Sequence, residues 1–462
     1  MYIIDPNSKI PLYIQLYNEL KQDIITNKTI NEKLPSIRKI ASTYNLSKNT
    51  VQSAYNQLYA EGYIDSYEKS GYFVLHNNYD NTSITTKQPT ITHKPQIQYK
   101  YDFYPAGLPK DIFPLKLWKR LTTKALDETL NFGIYLDGQG ELDLREQIAK
   151  YLVESRGVEA NPSNIIISNG FAESMELVAK LLTKTYNTLL IEKPGYYIPK
   201  EIFNDYNYNT QDISINRSGI NKKELNKYNN TILYITPSHQ YPTGTSIPIN
   251  NRFEILQWAT KNNNIIIEDD YDSELNYINR PIPALQGLTK NNNVIYFGTF
   301  AKSLSPTLRI CYMVVPDFFI DLYKNSFHSH FPKVSLQIQK TMTLFLQNGY
   351  YERHLRKLRT LNRKKHNLLK EALDKYLKTT YKIESQGAGL SIVINPIVPF
   401  DIQKLKQLAI QNNIKLYFAS NITNNAWEGL RMGFGTLQIN QIDDAIKAFS
   451  NIWFKSIVDK NL

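Results

Sequence analysis

Lys302 stands in Gly298-Thr-Phe-Ala-Lys-Ser-Leu-Ser-Pro-Thr-Leu-Arg309, a loop of small and hydroxyl residues. Apolar stretches flank it: Asn293-Val-Ile-Tyr-Phe297 before, Ile310-Cys-Tyr-Met-Val-Val315 after. Burying an ammonium is costly, so a lysine between buried strands is a poor structural choice unless it snorkels to solvent. It is a good choice for a Schiff base, in which a desolvated amine attacks an aldehyde. Upstream, Ile265-Ile-Ile-Glu-Asp-Asp-Tyr-Asp272 runs from a buried strand straight into acids. An acid at a strand's C-terminal edge lies where open α/β sheets bind ligands. Such a carboxylate suits the protonated pyridine nitrogen of pyridoxal 5'-phosphate (PLP).

These groups need elements to hold them. Ile232-Leu-Tyr-Ile-Thr-Pro-Ser-His-Gln-Tyr-Pro-Thr-Gly244 reads as a strand ending in a turn. Ile165-Ile-Ile-Ser-Asn-Gly-Phe-Ala-Glu173 reads as a strand, small residues and a helix start, the layout of a phosphate cradle at a helix N-terminus. Strand and helix patterns alternate to about residue 320, which predicts an α/β lobe with a mostly parallel sheet. A long basic helix is expected from about Gly349 to Tyr376, with Lys365 among its charges; its leucines keep helical spacing, so the charges read as a solvated face. A smaller α+β lobe follows, with one strand at Gly387-Ala-Gly-Leu-Ser-Ile-Val-Ile394 and another at Gly429-Leu-Arg-Met-Gly433.

From about residue 100 onward the chain resembles the fold-type I, aspartate-aminotransferase-like PLP proteins. Asp269 precedes Lys302 by 33 positions and Arg309 follows by seven. The resemblance implies Lys302 as the Schiff-base lysine, Asp269 on the pyridine nitrogen, Tyr271 on the ring hydroxyl and Arg309 on the phosphate. It further implies phosphate contacts from Gly170, Phe171 and Ala172, and from a Thr299 or Ser303 hydroxyl. Tyr196, in Lys193-Pro-Gly-Tyr-Tyr197, would stack on the ring, and Tyr135 would reach the phosphate of a partner subunit. Arg431, in Trp427-Glu-Gly-Leu-Arg-Met-Gly-Phe-Gly435, matches the arginine that grips a substrate or effector carboxylate. One departure is informative. Enzymes of this type place Asn before the Pro-Thr-Gly turn, and here Tyr241 stands there.

Residues 1–76 read as a separate module. Leu12, Leu16, Leu20 and Ile24 keep helical spacing; Ser36 caps a second helix; Ser47 to Tyr59 forms a third, with Val51, Ala54, Tyr55 and Leu58 inward. Two short strands follow, with Lys69-Ser-Gly71 at the tip between them. The module holds eight basic and seven acidic residues, yet no acid lies between Lys33 and Ala60. An acid-free face is what phosphate contacts need. Pro11-Leu-Tyr-Ile-Gln-Leu-Tyr17, Leu34-Pro-Ser-Ile-Arg38, Leu46-Ser-Lys-Asn-Thr-Val-Gln52 and Leu58-Tyr-Ala-Glu-Gly-Tyr63 resemble the GntR family of winged-helix regulators. That resemblance implies that Arg38, Ser47, Lys48, Asn49, Thr50 and Gln52 face double-stranded DNA, with the recognition helix in the major groove. It also implies that Gly71 lets the wing tip approach phosphates. Residues 77–98 are polar and aperiodic and read as a linker, leaving 99–462 as the effector domain.

The order of the two modules resembles the MocR family of transcription regulators over essentially the whole chain. A homodimer on a paired operator is implied, with PLP, alone or with an amino compound, as the effector. At most residual transaminase activity is expected. Control of PLP supply is preferred over sensing of γ-aminobutyrate, because the helper arginine expected for the latter is absent near Tyr197, Ile198 and Lys200. The alternatives are a working aminotransferase with a DNA-binding appendage and a relic fold that binds no cofactor. Cys311 is the only cysteine, so no disulfide forms within the chain. With no signal peptide or membrane span evident, a cytoplasmic protein is expected. The net charge of +12 hints at an anionic partner.

Overall fold

The computed structural model describes residues 2–67, 70–75, 99–127, 133, 137–216, 219–276, 283–326, 333–385, 387–418 and 429–458. The chain divides into two compact units, Met1–Gln96 and Ile97–Leu462. The linker expected at 77–98 lies outside the described residues.

In the first unit, α1 (Leu12–Asn27), α2 (Ile37–Thr43) and α3 (Lys48–Ala60) precede an antiparallel hairpin, β1 (Ile64–Tyr67) and β2 (Gly71–Val74). Leu16, Leu20 and Ile24 pack against Val51, Ala54, Tyr55 and Leu58, so the helical spacing read from the sequence forms the core. Each fully buried aliphatic side chain contributes about 1.5–3 kcal/mol. Both helices of the helix-turn-helix start on a serine cap: Lys39 N donates to Ser36 Oγ (3.3 Å), and Thr50 N to Ser47 Oγ (3.0 Å). The turn between them runs through Asn45 at φ 52°, a conformation that asparagine tolerates. The hairpin is tied to the helices from two sides. Leu34 N donates to Tyr72 O (2.9 Å), and Gln52 Nε2 to Tyr72 Oη (3.1 Å).

The second unit is built on an eight-stranded sheet. Its strands include β3 (Ile165–Ser168), β4 (Thr188–Lys193), β5 (Asn209–Asn216), β6 (Ile232–Ile235), β7 (Ile265–Asp270), β8 (Val294–Thr299) and β9 (Cys311–Val314). The order is β3-β9-β8-β7-β6-β4-β5, with Gly219–Ile220 at the edge. Pairing is parallel from β8 through β5, while β9 runs antiparallel to both neighbours. Helices cover both faces. Ile166, Ile295, Phe297 and Met313 enter one core, and Ile165, Ile167, Tyr296 and Tyr312 the other, in the two-residue period of a strand.

The smaller lobe carries β10 (Tyr381–Ser385), β11 (Ser391–Pro396), β12 (Tyr417–Phe418) and β13 (Leu430–Gly433), in the order β10-β11-β13-β12. The strand expected at 387–394 starts only at Ser391. Gly387 and Gly389 adopt positive φ (93° and 69°), which breaks the extended run before it. The long basic helix spans Tyr350–Leu377. One of its cations departs from the solvated-face reading: Lys365 is buried, with Nζ on Gly435 O at 2.8 Å. No described helix is long and apolar enough to cross a membrane.

Candidate functional site

A cavity of about 430 Å³ opens at the C-terminal ends of the parallel strands, between the sheet and the smaller lobe. Lys302, Asp269, Tyr271, Thr299, Arg309, Gly170, Phe171, Tyr196 and Arg431 all line it. Residues spread over 260 positions thus meet in one space, as the motif order implied.

Parallel register sets the floor. Asp269 on β7 pairs with Phe297 on β8, which places its carboxylate beside the loop bearing Lys302. Asp269 is 4% exposed. Tyr234 Oη, from β6, donates to its Oδ2 at 2.5 Å, whereas its Oδ1 is buried with no partner. Burial pushes the carboxyl up to about 8; Asp270, Asp272 and Glu192 add to the rise, and the Tyr234 bond opposes it. An orphaned carboxylate oxygen in a dry site needs a proton donor. Lys302 is half-buried by area, because the cavity it lines is open, yet desolvation pulls its amine down to about 8. Asp272 opposes that fall and Arg431 adds to it. About a tenth of the amine is therefore in the neutral nucleophilic form at pH 7, far more than for an ordinary lysine.

Helix α4 (Phe171–Leu182) begins at one end of the cavity with Gly170 as its N-cap, at φ 91°. A Cβ on Gly170 would lie 2.0 Å from Arg309 Nη2, so only glycine admits the guanidinium to the helix N-terminus. Arg309 itself adopts φ 53°, and its Nη2 donates to Asn169 O at 3.4 Å. The amides of the first helical turn, the positive end of the helix dipole and an arginine together make an anion cradle. Thr299 Oγ1 faces the same corner and accepts from Cys311 Sγ at 3.1 Å. Ser303 does not reach it. Tyr351 Oη donates to Ser303 Oγ at 2.7 Å, turning that side chain into the core. Ala172 is exposed and off the lining, so only its amide is available. Tyr135 lies outside the described residues.

Tyr196 meets Phe171 edge-on (5.4 Å) and Tyr241 likewise (5.4 Å). Tyr271 stacks on His239 at 6.0 Å, with Oη 3.3 Å from His239 Nδ1. Burial holds the Tyr271 hydroxyl well above its ordinary pKa, so it stays a neutral donor. His239 Nδ1 also lies 2.7 Å from Asp272 Oδ2. Arg431 Nη1 donates to Tyr241 Oη at 3.0 Å. Sequence reasoning missed Tyr234, His239 and Asp272 as site residues. A tyrosine inside the otherwise aliphatic Ile232-Leu-Tyr-Ile235 was the available signal for the first, since a buried phenol requires a partner. The Asp272–His239 pair depends on a loop contact that spacing does not encode.

The residues present fit PLP: an unpartnered carboxylate that would take a ring N–H, an anion cradle that would take the phosphate, a tyrosine on the lining that would cover a ring, and a lysine with a depressed pKa. In the first unit, Arg38, Ser47, Lys48, Asn49 and Gly71 are exposed, while Thr50 and Gln52 are half-buried. The hydroxyl of Ser47 is spent on the α3 cap, and Gln52 also donates to Asn56 Oδ1 at 2.9 Å. Gly71, at φ 103°, sits over Lys33.

Comparison with known proteins gives the same division. The aminotransferase class I and II family matches residues 109–449, and the gntR family of bacterial regulatory proteins matches residues 12–74. The HTH-type transcriptional regulator YhdI of Bacillus subtilis (strain 168) is 34% identical over 97% of this chain and 97% of its own. The probable rhizopine catabolism regulatory protein MocR of Rhizobium meliloti is 30% identical, covering 85% of this chain and 83% of its own. The HTH-type pyridoxine biosynthesis transcriptional regulator PdxR of Corynebacterium glutamicum is 26% identical over 86% of each. Among solved structures, the multiple substrate aminotransferase of Thermococcus profundus superposes with a TM-score of 0.68 at 18% identity, over 78% of this chain and 92% of its own, a likeness of fold. With a gntR-type helix-turn-helix ahead of an aminotransferase-like domain, and relatives of the same build along nearly its whole length, the chain belongs to the MocR-type GntR family of transcription regulators.

Proposed function

We propose that this regulator holds PLP in the cavity at Lys302. Occupancy of that cavity, by PLP alone or with an amino compound, changes how a homodimer places its two helix-turn-helix modules on an operator. The observation that carries the reading is the buried, unpartnered Oδ1 of Asp269, 4% exposed and within the cavity that Lys302 lines. When bound, PLP supplies an aldehyde that captures amines and a ring that withdraws electrons.

The chain's own residues do the rest. Lys302 presents a largely desolvated amine whose pKa of about 8 leaves a useful neutral fraction. Asp269 accepts a ring N–H at Oδ1, while Tyr234 occupies Oδ2 and fixes the carboxylate plane. Arg309 and the α4 amides bind the phosphate, and Tyr196 covers the ring. Tyr271 donates to the ring hydroxyl. Arg431 takes a carboxylate from an incoming amine. On the DNA side, Arg38 and Lys48 neutralise phosphates and the N-terminal residues of α3 reach base edges. A ligand shifts the regulator only if it binds one conformation better, and DNA must then change ligand affinity by the same factor. Control of PLP supply is the favoured physiological role, supported by the likeness to PdxR.

The test is fluorescence anisotropy on the chain's own upstream DNA at stated salt, without PLP, with PLP, and with PLP plus candidate amines. A shift with PLP alone makes Lys302 the sensor of PLP supply. A shift only with an added amine makes PLP the prosthetic group and the amine the signal. Steady turnover of amino acid with keto acid, and no DNA binding, would replace this reading with an enzyme.

A further inference from the structure

Gln52 lies in the N-terminal half of α3, on the side that carries Lys48, Asn49 and Asn56. Its Nε2 donates to Asn56 Oδ1 at 2.9 Å, one helical turn on, and to Tyr72 Oη at 3.1 Å, from β2 of the hairpin. An amide nitrogen has two hydrogens to give, so both are taken. The Oε1 atom accepts from no described residue and is not buried.

Tyr72 is itself held in place. Its ring meets Tyr55 edge-on at 4.9 Å. Tyr55 is fully buried, and its Oη donates to Pro35 O at 2.7 Å. Leu34 N donates to Tyr72 O at 2.9 Å. The hydroxyl that receives Gln52 therefore rests on the core of the first unit, and the amide plane of Gln52 is fixed from two sides.

A free glutamine offers an acceptor and a donor side by side, the pattern that matches N6–H and N7 of adenine in the major groove. With both N–H groups taken, Gln52 offers an acceptor alone. In that respect it behaves as a carboxylate does, and the base edge that suits an acceptor-only side chain is the N4 amino group of cytosine. Guanine and thymine would set a carbonyl oxygen against Oε1. Adenine would leave its N7 without a donor.

We propose that Tyr72 is a positioning residue for base recognition: by occupying Gln52 Nε2 together with Asn56, it makes Gln52 an acceptor-only reader that selects cytosine at one position of the half-site. This rests on the reading that the N-terminal part of α3 enters the major groove. The hairpin then shapes sequence choice through the recognition helix.

The full-length protein is used to select sites from a randomised duplex library, and anisotropy is then measured on four duplexes that differ at the position Gln52 reads. That position is the one whose preference Gln52→Ala loses. The unaltered protein should favour cytosine there by about fivefold or more over each other base, the lower end for a base contact. Tyr72→Phe keeps the ring on Tyr55 and removes only the hydroxyl. With one N–H group freed, adenine should rise to match or pass cytosine, while preferences at other positions stay. Gln52→Glu keeps an acceptor-only side chain and should keep cytosine first, with weaker binding to every sequence because a negative charge approaches the phosphates. Guanine, thymine or adenine favoured there by the unaltered protein would mean that N–H groups face the base, and would overturn the proposal. So would a Tyr72→Phe protein with unchanged preference, or one that binds all four duplexes equally less well, which would make Tyr72 a brace of the fold alone. If Gln52→Ala alters no position while others remain selective, Gln52 reads no base and the proposal fails with DNA binding intact. A library from which nothing is enriched would overturn the DNA reading itself, and the proposal with it.

Discussion

The exposed face of α3 and the buried end of β7 work under opposite physical conditions. On α3, Lys48 and Asn49 stand in water, so presenting them costs the fold almost nothing, and the inward Val51, Ala54, Tyr55 and Leu58 hold the helix. At the end of β7, Glu268 and Asp269 are buried, and Glu192 and Glu274 lie close by in the same condition. Desolvation raises Glu192, Glu268 and Glu274 to about 7 and Asp269 to about 8. A surface reader can be assembled from a helix and a few exposed side chains. A cofactor site must keep charges where water would otherwise solvate them, and only an extensive core makes that affordable. The exposed face belongs to the unit Met1–Gln96 and the buried carboxyls to the much larger unit Ile97–Leu462.

Lys302→Ala tests the contrast most severely. It should abolish the PLP-dependent change in DNA binding and the cofactor absorbance band, while DNA binding without PLP persists. Leu58→Ala is the reciprocal change. A buried leucine lost from the small core costs about 2–5 kcal/mol, enough to unfold the first unit. Anisotropy should show loss of DNA binding with the cofactor band intact.

Asp269→Asn separates stability from function at one residue. Losing a charged hydrogen-bond partner should weaken PLP binding by about 10- to 150-fold, or ~1.5–3 kcal/mol. The sign of the stability effect is opposite. The folded carboxyl is raised, so Asp269 opposes folding increasingly as pH climbs from the unfolded carboxylate value towards about 8. Without PLP, the asparagine variant should therefore gain melting temperature over the parent as pH rises across that window. A variant less stable at pH 8 than its parent would show that Asp269 is not strained in the empty site.

Lys302 gives a pH signature. With its amine at about 8, the rate of PLP capture should rise about tenfold between pH 7 and pH 9 and then level off, whereas an unperturbed lysine continues to rise towards 10.4. Stopped-flow absorbance reads this directly. The smallest expected effect lies on the DNA side. Arg38→Ala or Lys48→Ala should each reduce the salt dependence of DNA binding by about one unit of slope, with PLP binding unchanged.

Much of both units was legible from local chemistry. The serine caps at Ser36 and Ser47, the inward residues of α3 and the strand-to-acid run at 265–272 all rest on short-range rules of capping and periodicity. Ser303 shows where those rules stop. Its neighbour Lys302 lines the cavity, yet its own hydroxyl is taken by Tyr351 from a helix some 50 positions away. Lys365 shows the same on a helix face: among basic residues at solvated positions, one turns inward because Gly435 O is there to receive it.

By itself, the amino-acid sequence determined the two-module division, the α/β class and which lysine, acid and arginines would line one cavity. Residue type and order along the chain carry those. Tertiary structure alone decided which atoms remain unsatisfied. Tyr234 bonds one oxygen of Asp269 and leaves the other bare, and Tyr241 bonds one side of Arg431 and leaves Nε bare. Desolvation and hydrogen-bond satisfaction depend on every neighbour in three dimensions, and those neighbours come from strands and lobes far apart in the chain.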